Sequence, residues 1–146
     1  MPPRLPRILP LLLWAPAVIF VNTHVASLHL VRGRSMSPTL SPHSPSSHDL
    51  ILVNRWSATS ALRRGQLILF RSPTDPERVA IKRVIGIEGD VVRPRSIGEV
   101  GEWMGVEGVR VPVGQIWVEG DEGVHSLDSN VYGAVSVVEG ERRGKG

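Results

Sequence analysis

The chain has 146 residues, with 15 Gly, 12 Pro, no Cys and a formal net charge of +3. That length, with an apolar N-terminal segment set aside, suits one compact domain, and the missing cysteines exclude disulfides, thiolate metal sites and cysteine nucleophiles. Arg is scattered along the chain and forms no block, so the charge describes a mixed-sign solvated surface and no nucleic-acid footprint.

Residues 8–31 carry no full charge at neutral pH, and 11–21 are apolar apart from prolines and small residues. About 20 apolar residues suffice to cross a bilayer, so 8–31 is expected to be a transmembrane helix behind a short tail, 1–7. A cleaved secretory signal, with Arg4 and Arg7 as its basic start and Ala26 and Ser27 near the cut, is one alternative. A buried core helix is another. Arg4 and Arg7 precede the segment while Arg32 and Arg34 follow it, so charge does not orient it.

Downstream, short Val/Ile/Leu runs between turn-forming Gly and Pro predict a mainly β domain over 32–138. Residues 40–48, rich in Ser and Pro, read as an exposed loop. His43, His48 and Asp49 are solvated loop residues on this reading and not metal ligands, because a second half-site is missing. Strands are expected over 49–54, 66–70, 79–87, 91–92 and 115–121, with turns at 72–78 and at Glu88-Gly89-Asp90. Residues 94–109 form a Gly-rich excursion, and 139–146, charged and Gly-rich, are expected to be disordered.

Three stretches rise above this texture. Gly33-Arg34-Ser35-Met36-Ser37-Pro38-Thr39-Leu40 offers a serine, a poor nucleophile until a base takes its proton. Ala80-Ile81-Lys82-Arg83-Val84-Ile85-Gly86 puts a lysine in an apolar strand. Strict alternation sets Lys82 with Ala80 and Val84, and Arg83 with Ile81 and Ile85 on the other face. Burial there would lower the lysine pKa and supply a neutral amine, although such a lysine also occurs on edge strands with its ammonium in solvent. Gly120-Asp121-Glu122-Gly123-Val124-His125-Ser126-Leu127-Asp128-Ser129-Asn130 is a polar loop after a strand; His125 beside Asp121 or Asp128 is a less favoured base than the lysine.

In this order the stretches resemble the signal peptidase I family, with its Ser-Met-x-Pro-Thr, Lys-Arg and Gly-Asp…Ser-x-Asp-Ser boxes, here at 35–39, 82–83 and 120–129. Ile81-Lys82-Arg83-Val84-Ile85, Ile116-Trp117-Val118-Glu119-Gly120-Asp121 and His125-Ser126-Leu127-Asp128-Ser129-Asn130 are similar to the mitochondrial inner membrane peptidase branch. The resemblance implies an antiparallel signal peptidase-like β domain with one N-terminal transmembrane helix. It implies a Ser/Lys endopeptidase of the inner membrane facing the intermembrane space, which removes presequences from proteins delivered there. Its partners would be those polypeptides, a second homologous subunit and the lipid bilayer, with no cofactor and no metal. A non-catalytic structural subunit of the same complex is the alternative.

Carried over residue by residue, the resemblance makes Ser35 the nucleophile and Lys82 the general base. Ser126 hydrogen-bonds the lysine and Asp128 stabilises its loop. The Ser35 N–H is the first oxyanion donor; many bacterial relatives add a serine hydroxyl two positions earlier, where this chain has Gly33. Met36 lines a substrate pocket or fills the core. Bacterial relatives often pair the aspartate with an arginine at the position of Asn130, so Asp128 is expected to bond backbone N–H groups instead. Beyond Ser136 the family continues through a further hydrophobic segment that this chain lacks, which reads as a truncated pattern.

Overall fold

The apolar N-terminal run is helical only in part. Helix α1 (Leu9–Phe20) passes into one π-helical turn (Val21–Val25), and at Ala26 the backbone turns extended, with φ −157° and ψ 144°. Local chemistry accounts for the change. The Thr23 hydroxyl donates to the Ile19 carbonyl at 2.8 Å, and the His24 ring stacks on Phe20 with its Nδ1 3.3 Å from the Phe20 carbonyl. Side chains that bond the preceding turn in this way compete with the regular helical ladder. Residues 26–30 therefore correct the expectation of a helix over 8–31. Twelve α-helical residues rise about 18 Å against a hydrocarbon core of about 30 Å. Among the described residues no helix is long and apolar enough to cross a membrane. Nor is α1 a core helix, because Leu12, Leu13, Trp14, Val18, Ile19 and Phe20 are all exposed.

This computed structural model describes residues 9–40, 48–56, 62–95, 108–123 and 126–137. Its strands are β1 (Ala26–Leu30), β2 (Leu50–Asn54), β3 (Leu67–Arg71), β4 (Val79–Gly86), β5 (Val91–Val92), β6 (Val109–Arg110), β7 (Gln115–Glu119) and β8 (Val135–Ser136), with a short helix α2 (Ser129–Tyr132) before the last. All pairings are antiparallel. β1 pairs with β2, β5 with β6, and the central sheet runs β3-β4-β7-β8. The expected mainly β, antiparallel architecture is present. The five expected strands form to within two residues, whereas β1, β6, β8 and α2 were not anticipated. His43, His125, most of the 94–109 excursion and the 139–146 tail lie outside the described residues.

Two apolar clusters hold the sheet. Val84, Ile116 and Val118 bury against Ile68, Phe70 and Tyr132, while Val92, Val109, Val111 and Trp117 pack beside Ile85. The junction between the clusters lies on β4. Arg83 pairs with Glu119 and Val84 with Val118, but the next partner of Trp117 is Gly86, so Ile85 is the extra residue of a bulge. Gly86 is required there, since a Cβ would stand 2.5 Å from Val92 Cγ2 and 3.2 Å from Val111 Cγ2.

Candidate active site

The alternation expected of β4 is observed up to the bulge: Lys82 and Val84 are buried, while Ile81 and Arg83 are half-buried; Ala80, expected on the Lys82 face, is half-buried as well. Lys82 is only 3% exposed and its amine donates to Ser126 Oγ at 2.8 Å. Burial lowers its pKa from the usual lysine value, the negative charge of Asp128 opposes that shift, and the positive charge of Arg78 adds to it.

Ser35 sits in a tight turn just beyond β1. Gly33 enters that turn with φ +100°, a conformation that favours glycine, and the Ser37 and Leu40 N–H groups donate back to the Arg34 and Met36 carbonyls, each at 2.8 Å. Ser35 is half-buried and Met36 is 2% exposed. Both line a cleft of about 500 Å³ that also holds Lys82 and Gly33. Among the described residues the Ser35 hydroxyl has no hydrogen-bond partner.

The loop after β7 is pressed against both groups. The Glu122 N–H donates to the Ser35 carbonyl at 3.1 Å. A Cβ on Gly120 would stand 2.2 Å from Ser126 Oγ and 2.5 Å from the Ser35 carbonyl oxygen, so the approach needs glycine. Asp128, 1% exposed, accepts from the Gly120 N–H at 2.9 Å, the Asn130 N–H at 3.0 Å and the Asn130 amide at 2.9 Å. Its partners include the backbone N–H groups that the absence of an arginine at position 130 called for. The same carboxylate caps α2, and the next residue, Ser129, accepts the Val118 N–H at 2.9 Å.

Two further ties escaped sequence reasoning. Arg83, on the face of β4 opposite Lys82, forms a bidentate pair with Asp121 at 2.8 and 2.7 Å and also donates to the Gly65 carbonyl and to Thr39 Oγ1. Thr39 bonds Asp121 as well, so all three boxes meet in one polar cluster, and the arginine holds the Asp121 carboxyl below its usual range. Arg95, from the segment after β5, pairs with buried Glu119 at 2.8 Å, donates to the Gly120 carbonyl at 3.2 Å, and gives its backbone N–H to Asn130 Oδ1 at 2.7 Å. The occurrence of Thr39, Arg83 and Asp121 inside the boxes was a signal available in sequence; Arg95 carried none.

An open backbone edge borders the cleft. β3 covers β4 from Val79 to Arg83, whereas β7 begins to pair only at Arg83, so residues 79–82 lack a neighbour on that side among the described residues. Residues 79–82 all line the cleft.

Residues 5–100 match the family described as Signal peptidase, peptidase S26. The chain is 39% identical over 125 residues to mitochondrial inner membrane protease subunit 2 of Schizosaccharomyces pombe, covering 85% of this chain and 65% of that protein. Identity to the proteins of the same name is 42% over 123 residues in Danio rerio and 43% over 122 in Mus musculus, covering 84% and 83% of this chain. The chain thus spans 63–65% of the length of these three relatives.

Proposed function

The chain belongs to the signal peptidase family, peptidase S26, and from that premise we propose that it is a serine endopeptidase in which Ser35 is the nucleophile and Lys82 the general base. The observation that carries the proposal is a lysine amine buried in the cleft that also contains Ser35, with its pKa lowered and a hydrogen bond to Ser126. An ammonium ion cannot accept a proton, and burial favours the neutral amine that can.

In the acylation step Lys82 takes the Ser35 proton as the oxygen attacks the scissile carbonyl, then delivers it to the leaving amine. A water deprotonated by the same amine releases the acyl group. Ser126 orients the amine, and Asp128 keeps Ser126 in place by fixing Gly120 and Asn130. The Ser35 N–H serves as an oxyanion donor. At Gly33 a side-chain donor is absent, and a Cβ there would meet no other atom within 4 Å. The substrate docks as an extended strand on the open edge of 79–82, with Met36 against one of its side chains.

The relatives are named as subunits of a mitochondrial inner membrane protease. By extension, this chain acts at that membrane on presequences of proteins bound for the intermembrane space, together with a second, homologous subunit. Its exposed apolar helix α1 contacts the lipid. The test is cleavage of precursor presequences by the isolated chain and by the complex. Ser35→Ala and Lys82→Met are expected to lower cleavage at least about 10³-fold. Cleavage by the complex that survives Ser35→Ala would place the chemistry on the other subunit and leave this chain the structural role.

A further inference from the structure

Four arginines of the described structure, Arg34, Arg64, Arg83 and Arg95, are paired with carboxylates. The two that line the cleft with Ser35 and Lys82 are not. Arg32 follows β1 and Arg78 immediately precedes β4; both are exposed, and neither guanidinium has a partner among the described residues. The described lining contains one carboxylate, Asp75. It is engaged in its own turn, accepting the Glu77 N–H at 3.3 Å through its side chain and the Arg78 N–H at 2.9 Å through its backbone carbonyl.

The placement of Arg78 gives that charge a purpose. It stands at the end of the open edge of residues 79–82, four positions along the chain from Lys82. A strand advances about 3.3 Å per residue, so a peptide laid on that edge with its scissile carbonyl near Lys82 brings a residue about two to four positions away beside Arg78. Arg78 lines the cleft with Lys82, and its positive charge adds to the lowering of the Lys82 pKa that burial begins. We infer that the cleft selects peptides carrying an acidic side chain two to four residues from the scissile bond, with Arg78 as the specificity-determining cation and Arg32 as its support. The inference rests on the catalytic reading above.

The experiment uses the full chain in detergent and a set of fluorogenic peptides built on one cleavable presequence. Glu or Gln is placed at each of four positions on either side of the cut. At one or more positions the wild type should prefer Glu over Gln by about tenfold in kcat/KM, mainly through KM, as expected of a partly solvated charge-assisted pair. Arg78→Gln should reduce that ratio to about twofold or less, and Arg78→Glu should reverse it in favour of a Lys peptide. A ratio within twofold of unity at every position in the wild type, or a Glu preference that survives Arg78→Gln, would overturn the inference while leaving the catalytic reading intact. Cleavage by Ser35→Ala at the wild-type rate overturns the catalytic reading instead. If no peptide is turned over, anisotropy with labelled peptides on Ser35→Ala reads the same Glu-to-Gln ratio in Kd, with the same outcomes for and against.

Discussion

Lys82 is the residue at which stability and chemistry conflict. Its amine is buried with one hydrogen-bond partner among the described residues, Ser126, and the Asp128 charge nearby only partly offsets the desolvation. Because burial lowers its folded pKa below the unfolded value of about 10.4, the unfolded chain holds more protons between the two values. Stability should therefore rise with pH across that window, and denaturant midpoints of Lys82→Met should lose the rise. On the proposed mechanism the activity of the wild type follows the same titration. Below the folded pKa, kcat/KM is expected to climb about tenfold per pH unit and to level off before the pH reaches the ordinary lysine value. A profile that levels only near about 10.4 would mean a solvated lysine.

At the scale of elements, the proposed catalytic arrangement depends on the loop after β7 lying close to the Ser35 turn. Gly120 sits at the closest approach, and Gly120→Ala would push Ser126 Oγ and the Ser35 carbonyl from the positions they share. Overpacking of this kind costs about 1–3 kcal/mol, and displacement of the base's partner should lower kcat about 10²-fold with KM changed less. Thermal unfolding and steady-state kinetics on one preparation separate the two effects. Arg83 and Asp121 tie the same elements from the opposite face of β4. Asp121→Asn, Arg83→Gln and the double variant should each lose about 1–3 kcal/mol, the double no more than the worse single, since one bidentate pair is removed in all three.

For the whole molecule the question is where the β domain begins. The boundary expected from hydropathy would start it at residue 32, yet β1 pairs with β2 along all five of its residues and His29, Leu30 and Val31 line the cleft. A chain starting at Ala26 is expected to keep its cooperative unfolding and its cleavage of a soluble peptide in detergent. One starting at Arg32 should lose most of both. Equal behaviour of the two truncations would make β1 dispensable.

Much of this fold was legible because it is local. Strands β2, β3, β4, β5 and β7 are Val/Ile/Leu runs bounded by turn residues, and the face on which Lys82 lies followed from alternation alone. β6 and β8 were not legible, since two residues become a strand only when a partner's N–H and C=O groups are at hand. β1 was hidden by its hydropathy. Leu28 and Leu30 look like the end of an apolar helix, and only pairing with β2 makes the alternating strand, with Ser27 and His29 on the inner face, the lower-energy choice.

By itself the sequence determined the segments proposed to carry the chemistry: a serine after a glycine turn, a lysine on an apolar strand face, and a Ser-x-Asp loop, in an order that belongs to one family. Those are properties of residue type, spacing and period, which chain connectivity alone encodes. Only the tertiary structure decided that Asp128 bonds Gly120 and Asn130, that Arg83 joins all three boxes through Asp121 and Thr39, that Arg95 braces the same loop, and that residues 79–82 keep an open edge among the described residues. Hydrogen-bond geometry and desolvation depend on how strands from distant parts of the chain are registered, and that register is set by packing on both sides of β4.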